Sequence, residues 1–424
     1  MAEENRQNLL QRSLDRLGPG LITGASDDDP SGIATYTQAG AALGLATLWT
    51  AVLTLPLMIA VQHTCAKVGM CSGRGFASVL KTYYSKWLLY PAVLGLLVAN
   101  TINVGADLTA IAAAINIFVP LPIWVLVLPI AVGIMVLEIW GSYKLIVRIF
   151  KWLTVTLFAY IVSAFLAGPN WSEVLRATVI PNFTFSSAYI TTIVAILGTT
   201  ISPYLFFWQA SQEVEEEYCT GRTTLTQRKG ATAAEMRKEV LDTVTGMIFC
   251  NVVFYFVILA AASTLHPAGK TEIKTAAEAA EALRPLAGNL ATTLFAIGLI
   301  GSGLLAVPVL AGSAAYAVSE TFDWRAHLND KPSSSSRFYG VIAASTLIGV
   351  AIGIADVNPM SALFWTAVIN GVVAPPLLVT VIFVANNKKV MQGRANGVWV
   401  NILVGLAAVL MFAAAIAMFV SWGQ

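Results

Sequence analysis

Asp27-Asp28-Asp29-Pro30-Ser31-Gly32 interrupts the first hydrophobic segment of the chain, near the middle of a run from about residue 18 to residue 45. An ionised carboxylate at the centre of a bilayer costs roughly 2.5–3.5 kcal/mol, and three exposed to lipid would cost about 8–10 kcal/mol. Pro30 lacks a backbone N–H and Gly32 tolerates non-helical dihedral angles, so we expect the helix to break here. A broken helix exposes carbonyl oxygens beside the carboxylates, which predicts a cation site.

The composition indicates a polytopic membrane protein. Of the 424 residues, 57% are hydrophobic and only 11% are charged, whereas soluble domains have about 25% charged residues. Because about 20 apolar residues cross a bilayer, we predict an all-α protein with eleven membrane-spanning segments in one transmembrane domain, residues 1–424. The predicted segments are 18–43, 45–66, 87–117, 121–139, 145–168, 188–214, 240–265, 287–319, 338–355, 360–386 and 396–421.

The distribution of basic residues predicts the orientation. If the polar residues 1–17 lie in the cytoplasm, all but four of the 25 lysines and arginines lie inside, as the positive-inside rule requires. The C-terminus is then extracellular. No short hydrophobic region with a cleavage site follows residues 1–17, so we expect no cleaved signal peptide. The exceptions to the rule are Arg176, Lys270, Lys274 and Arg284.

The cysteines and the net charge indicate no further chemistry. Cys65, Cys71, Cys219 and Cys250 lie on or near the predicted cytoplasmic side without the spacing of metal ligands, so we interpret them as reduced thiols. The net charge of +2 does not suggest a nucleic-acid partner.

A second break is predicted in the sixth segment, at Gly198-Thr199-Thr200-Ile201-Ser202-Pro203-Tyr204. Two Gly/Pro interruptions five spans apart predict an inverted repeat, residues 18–186 and 187–388, followed by an eleventh helix in 389–424. The binding site should lie between the broken helices at the midplane. Asp29-Pro30 and Ser202-Pro203 also fit a simpler interpretation, an N-cap followed by proline at the first helical position. For Asp29 that interpretation leaves the two other carboxylates unexplained.

Other polar residues in the spans have two interpretations each. Asp107 shares one helical face with Asn100 and Asn103, and it either joins two helices by a hydrogen bond or lies on the pathway. The acidic run in residues 213–217 is a solvated helix end or, less simply, an inner vestibule that concentrates cations. The three histidines fall in loops or near span ends, which disfavours a histidine proton relay at the midplane.

These motifs resemble the natural resistance-associated macrophage protein (NRAMP) family of divalent-metal transporters over about residues 12–420. Gly18-Pro19-Gly20 precedes Asp29-Pro30 by the distance at which the family's Gly-Pro-Gly precedes its Asp-Pro-Gly-Asn. The family's Gly-Ala-x-x-Met-Pro-His falls on residues 198–204. The resemblance implies eleven transmembrane helices in a LeuT-type inverted five-helix repeat, with helices one and six broken at the midplane.

Carried over residue by residue, the resemblance implies that Asp29 is the metal-binding carboxylate. The backbone carbonyls that assist it fall on Ser26 and Thr199. Asp107 matches the family's third-span aspartate, although the glutamate three residues later is an alanine here. The tenth-span glutamine has Asn370 as its nearest polar candidate.

The departures from the family pattern are informative. Gly32 replaces the ligand asparagine, Ser202 the thioether ligand and Tyr204 the histidine. Loss of the thioether removes the preference for softer transition metals over Mg²⁺ and Ca²⁺, and the smaller side chains at Gly32 and Ser202 should widen the cavity. A roomy site of oxygen ligands suits a largely hydrated Mg²⁺. The pattern therefore looks like the prokaryotic NRAMP-related magnesium transporters.

That branch implies uptake of Mg²⁺, and also Mn²⁺, across a prokaryotic plasma membrane without proton coupling, cofactor or obligate protein partner. A negative-inside potential would supply about 4.6 kcal/mol per 100 mV for a divalent ion. In the expected alternating-access mechanism, helices one and six move against spans three, four, eight and nine.

Three alternatives remain open at this stage. In a proton-coupled Mn²⁺/Fe²⁺ transporter, Asp27 and Asp28 would act as proton carriers. A Na⁺-coupled amino-acid transporter is disfavoured because three aspartates would repel a substrate carboxylate. A metal sensor that does not transport is disfavoured because the chain offers only a short loop in residues 215–239 for output.

Overall fold

The computed structural model describes residues 19–140, 157–328, 330, 332–354 and 357–422, and it contains helices but no strand in these ranges. The predicted N-terminal tail, residues 1–17, lies outside them. In chain order the helices are α1 (Pro19–Asp27), α2 (Pro30–Leu43), α3 (Trp49–Ser72), α4 (Phe76–Tyr83), α5 (Lys86–Asn116), α6 (Ile123–Trp140), α7 (Phe158–Leu166), α8 (Trp171–Val179), α9 (Ser187–Thr200), α10 (Pro203–Cys219), α11 (Leu225–Arg228), α12 (Ala233–Thr264), α13 (Ala276–Ala280), α14 (Arg284–Ala287), α15 (Ala291–Thr321), α16 (Ser336–Gly353), α17 (Pro359–Asn386) and α18 (Val398–Ser421).

The predicted spans coincide with these helices. Eight helical stretches within the described ranges are long and apolar enough to cross a membrane, and α6 is a shorter apolar helix. The first predicted span is divided into α1 and α2, which confirms the first break, and the sixth is divided into α9 and α10, which confirms the second. Of the fifth predicted span, 145–168, the part before residue 157 lies outside the described residues, and the rest contains α7.

Helix α12 lies along both halves of the first broken helix. Gly20 and Gly24 leave one face of α1 without side chains. A Cβ added to Gly24 would overlap the carbonyl group of Gly246 on α12. A Cβ added to Gly40 on α2 would overlap the carbonyl oxygen of Ile258. Small residues four apart allow such close backbone approach between membrane helices. One continuous helix thus spans the gap between α1 and α2.

The remaining helices enclose the two breaks from the other sides. Helix α5 packs against α15, α16 and α17, and α10 packs against α3. A Cβ at Gly105 on α5 would come within 2.6 Å of the carbonyl oxygen of Gly349 on α16. At the second break, a Cβ at Gly198 would overlap the backbone of Gly371 on α17. The polar residues at both breaks are therefore surrounded by protein.

Candidate cation site at the two helix breaks

Asp29 lies in the gap between α1 and α2 and caps α2. Its backbone is extended, with φ −69° and ψ 169°. Its Oδ1 accepts hydrogen bonds from the backbone N–H of Gly32 at 2.6 Å and from the hydroxyl of Ser31 at 2.7 Å. Its Oδ2 accepts from Asn103 Nδ2 on α5 at 3.1 Å. The side chain is buried, so three donors stabilise a carboxylate that has almost no contact with solvent.

Ser202 occupies the equivalent position at the second break, but its side chain does not cap α10. Its hydroxyl donates to the carbonyl oxygen of Thr199 at 2.7 Å and lies 3.2 Å from that of Gly198. It also lies 3.5 Å from Asp27 Oδ1 on α1. The capping interpretation is therefore correct for the Asp29 side chain and wrong for that of Ser202, which turns back into the break.

The two breaks are in direct contact. The hydroxyl of Tyr204, in the first turn of α10, donates to the carbonyl oxygen of Ser26 on α1 at 2.9 Å. A Cβ added to Gly32 would lie 3.0 Å from Thr199 Oγ1 and 3.3 Å from the ring of Tyr36. The expectation of a wider cavity at Gly32 is therefore wrong for this conformation, because the Thr199 hydroxyl and the Tyr36 ring already occupy the space that the missing side chain leaves.

Polar groups without a hydrogen-bond partner occur on the helices around the breaks. Both carboxylate oxygens of Asp107 on α5 lack a partner, and so do both amide atoms of Asn370 on α17 and the hydroxyl of Thr199. All three side chains are buried. Leaving such groups unpaired costs about 1–3 kcal/mol each, so they are candidates for contact with water or a transported ion. Asn370 lies beside Gly371, which packs on the second break.

Asp27 and Asp28 both contact α12, and none of the hydrogen-bond partners of Asp29 is among theirs, although Asp27 also lies near Ser202 of the second break. The thiol Sγ of Cys250 lies 3.2 Å from Asp27 Oδ2 and 3.5 Å from Asp28 Oδ1. Asp28 Oδ2 has no hydrogen-bond partner. No local pattern in the sequence links Cys250 with the aspartates. One sequence feature could have indicated a close helix contact near Cys250: it lies one helical turn after Gly246, the only glycine in α12.

The side chains do not form a preassembled metal cage. Among the described residues, no group of three His, Cys, Asp or Glu side chains is already arranged to hold a metal ion. The arrangement offers instead one carboxylate, Asp29, together with main-chain and hydroxyl oxygens from both breaks. Such a mixture of few charges and many neutral oxygens is suitable for a cation that must bind and leave again.

An acidic cavity lies on the predicted cytoplasmic side. Glu213, Glu215 and Glu217 are buried, so the interpretation as a solvated helix end was wrong for these three glutamates, whereas Glu216 is partly exposed. Asp242 accepts a hydrogen bond from the backbone N–H of Gly20, in the first turn of α1, at 2.7 Å. The cavity has a volume of about 170 Å³ and is lined by Pro19, Met70, Glu213, Glu216, Glu217, Thr220, Arg222, Glu235, Lys238, Glu239 and Asp242. Its excess of carboxylates attracts cations.

A helical membrane protein with two broken helices that meet at buried polar groups has the architecture of a LeuT-type transporter. The chain belongs to the family described as natural resistance-associated macrophage protein-like, whose model matches residues 20–421. It is a transporter and not an enzyme, in agreement with the resemblance seen in the sequence.

Relatives and solved structures support this assignment. The divalent metal cation transporter MntH of Verminephrobacter eiseniae is 26% identical over 424 residues, covering 97% of this chain and 90% of the relative. MntH of Brucella suis is 24% identical over 410 residues, covering 95% and 87%. The manganese transporter of Eremococcus coleocola superimposes with a TM-score of 0.74 at 16% identity, covering 97% and 87%. Mhp1, a nucleobase-cation-symport-1 transporter, gives a TM-score of 0.60 at 11% identity, covering 95% and 91%. At these identities the structures demonstrate the shared fold.

Proposed function

We propose that the chain mediates uptake of divalent cations, chiefly Mg²⁺ and also Mn²⁺, down their electrochemical gradient and without proton coupling. Its relatives are divalent metal cation transporters, which supports a divalent metal cation as the substrate. One observation carries the assignment to this site. The buried Asp29 carboxylate lies at the α1–α2 break, and Gly32, three residues later, lies beside Thr199 of the α9–α10 break.

The hardness of the candidate ligands favours Mg²⁺. The groups assigned to the ion are the Asp29 carboxylate, the carbonyl oxygens of Ser26 and Thr199, and nearby hydroxyls. All of them are oxygens, and Ser202 provides a hydroxyl where the family pattern has a thioether. Oxygen ligands suit Mg²⁺ and Mn²⁺, whereas a thioether would favour softer ions. Because the space at Gly32 is filled in this conformation, the preference rests on the ligand atoms and not on a large cavity.

The absence of proton coupling rests on the residues that replace the family's titratable groups. Tyr204 stands in place of the histidine, and its hydroxyl is engaged by the Ser26 carbonyl. Ala110 stands in place of a glutamate on α5. Without coupling, the membrane potential drives entry, and about 4.6 kcal/mol per 100 mV corresponds to roughly a thousandfold accumulation of a divalent ion.

The moving parts in this proposal are the two broken helices. Residues 18–186 and 187–388 form two inverted repeats, and 389–424 provide helix eleven. The hinges lie at residues 29–32 and 202–203, where α2 and α10 begin. The N-terminus faces the cytoplasm of a prokaryotic cell and the C-terminus faces outward. Asp107 and Asn370, whose side chains lack hydrogen-bond partners, would contact the ion or its water along the pathway.

A proton-coupled Mn²⁺ transporter is the second candidate, and one observation favours it. Asp27 and Asp28 are adjacent and buried, and within the described residues no lysine or arginine forms a salt bridge with either one. Acidic residues buried within membrane spans are the usual proton carriers of transporters. A proton on either one could move with the metal ion.

The test is Mg²⁺ flux into proteoliposomes under an imposed negative-inside potential, with the internal pH recorded at the same time. We expect potential-driven Mg²⁺ entry without acidification. At low Mg²⁺ concentration the flux should fall at least about tenfold in Asp29→Asn and be retained in Glu173→Gln, which removes one carboxylate from the exposed helix α8. Entry of Mn²⁺ alone with acidification would instead establish the proton-coupled alternative. A stoichiometric bound metal without flux would overturn both proposals.

A further inference from the structure

We propose that Asp27, Asp28 and Cys250 form a second cation subsite between α1 and α12, which takes thiophilic divalent ions such as Zn²⁺ and Cd²⁺. We call these three residues the thiol subsite. The proposal rests on the function proposed above only in treating the chain as a divalent-cation carrier. The assigned Asp29 site is built from oxygens, whereas the thiol subsite adds a sulfur ligand.

The packing of α1 on α12 fixes the position of the thiol subsite. Gly20 lies against Thr243, and Gly24 lies against Gly246, so the two helices run side by side in the same direction. One further turn along each helix brings the end of α1 to Cys250. The glycine contacts let the two backbones approach closely, and this closeness brings the short side chains of Asp27 and Cys250 within 3.2 Å.

The distances suit a bound ion. A tetrahedral ion with bonds of about 2.3 Å to sulfur and about 2.0 Å to oxygen places those ligands roughly 3.5 Å apart. Cys250 Sγ lies 3.2 Å from Asp27 Oδ2 and 3.5 Å from Asp28 Oδ1. These two sulfur–oxygen separations are therefore close to those between ligands of one ion.

Independent support comes from Asp28, whose Oδ2 is buried without a hydrogen-bond partner. The three side chains are not yet arranged around one point, so ion binding requires them to rotate. Binding of M²⁺ also replaces the thiol hydrogen: the S–M and O–M bonds form, the S–H bond breaks, and the proton passes to water.

Occupation of the thiol subsite has a mechanical consequence. Asp27 ends α1, and Cys250 lies in the middle of α12, so an ion held by both would join the inner half of the first broken helix to α12. Transport by alternating access requires movement of the broken helices. Thiophilic ions should therefore inhibit transport of Mg²⁺ or Mn²⁺ by holding α1 in place, while Mg²⁺ itself, a poor partner for sulfur, should not bind to the thiol subsite.

The first experiment is a titration of the purified full-length protein with CdCl₂, followed by near-ultraviolet absorption from thiolate-to-metal charge transfer. We expect a saturable band that is absent in Cys250→Ser and present in Cys65→Ser, which removes another buried thiol. Asp28→Asn should keep the band but require at least about tenfold more Cd²⁺, since even outer partners of a metal site contribute 10–100-fold to affinity. This variant also tests the proposal if Cys250→Ser does not fold.

The second experiment measures inhibition of Mn²⁺ flux by Cd²⁺ in proteoliposomes, relative to the uninhibited flux of each variant. The half-inhibitory Cd²⁺ concentration should rise at least about tenfold in Cys250→Ser and stay unchanged in Cys65→Ser. No band in the wild type, or a band lost equally in Cys65→Ser, would overturn the thiol subsite. A band without any metal flux would support the subsite and refute the proposed function. Flux without a band would do the reverse.

Discussion

Asp29 has two roles in this account, as the cap of α2 and as the principal charged ligand, and a pair of substitutions separates them. Asp29→Asn removes the charge but keeps a side-chain oxygen for the N–H of Gly32, and asparagine is as good an N-cap as aspartate. Its new Nδ2 faces Asn103, which can accept from it once the Asn103 amide turns over, because Asn103 Oδ1 has no hydrogen-bond partner in the wild type. Asp29→Ala removes both the charge and the cap. It also removes the acceptor of the Asn103 amide, which is buried at 3.1 Å from Asp29 Oδ2.

The structure gives the expected size of each effect. Loss of the cap costs about 1 kcal/mol, and a buried amide left without its acceptor costs about 1–3 kcal/mol. We therefore expect Asp29→Ala to lower the free energy of unfolding by about 2–4 kcal/mol and Asp29→Asn to change it by less than about 1 kcal/mol. For the ion, loss of a charged partner costs about 1.5–3 kcal/mol, on the order of 10- to 100-fold in affinity. Both variants should show this loss of affinity for the ion.

The assay combines unfolding of the purified protein in detergent, followed by tryptophan fluorescence, with divalent-cation flux in proteoliposomes. Transport by Asp29→Asn at the wild-type rate and concentration dependence would refute the role of Asp29 as a ligand and leave it as a helix cap. Equal stability of Asp29→Ala and Asp29→Asn would instead refute the stabilisation assigned to the cap and to the Asn103 hydrogen bond.

Three further substitutions test other parts of the structure. Gly24→Ala places a Cβ against the backbone of α12 and should lower the unfolding temperature. The control is Gly405→Ala on α18, where a Cβ meets nothing within 4 Å; it should be neutral or raise stability by up to about 1 kcal/mol. Equal effects of the two substitutions would contradict the close packing of α1 on α12. Asn103→Leu removes one donor to Asp29 and should lower the flux about tenfold without abolishing it, because a hydrogen bond to a charged group contributes about 1.5–3 kcal/mol. Ser202→Met restores a thioether and should shift selectivity in competition assays from Mg²⁺ toward Mn²⁺ and Cd²⁺; unchanged selectivity would show that ligand softness does not decide the substrate.

The breaks and the spans could be predicted because their determinants are local in sequence. Pro30 and Pro203 each follow a residue with an extended backbone, and proline can begin a helix but cannot continue one. The helical spacing of Asn100, Asn103 and Asp107 likewise predicted a common face. In the structure, Asn103 of that face contacts Asp29.

The features that were missed depend on packing between residues far apart in the chain. Cys250 lies beside Asp27 only because Gly24 and Gly246 allow α1 and α12 to approach closely, and no pattern within either helix specifies that pairing. The space at Gly32 is filled from α9 by Thr199. Three glutamates of the acidic run in residues 213–217 are buried because neighbouring helices cover the end of α10. In each case the environment of a side chain is set by another segment, so composition and periodicity do not determine it.

In the proposed function, the carbonyl oxygen of Ser26 would connect ion binding with movement of the helices. It accepts the Tyr204 hydroxyl of α10 in this conformation, and the family resemblance assigns the same oxygen to the ion. A conformation that gives the ion this oxygen in place of the tyrosine has one contact fewer between α1 and α10. A ligand shifts a conformational equilibrium only by the difference in its affinity for the two states. In the proposed function, the Ser26 oxygen would be more available to the ion once Tyr204 has withdrawn, and this would provide such a difference: the ion would bind more tightly where α1 and α10 have separated.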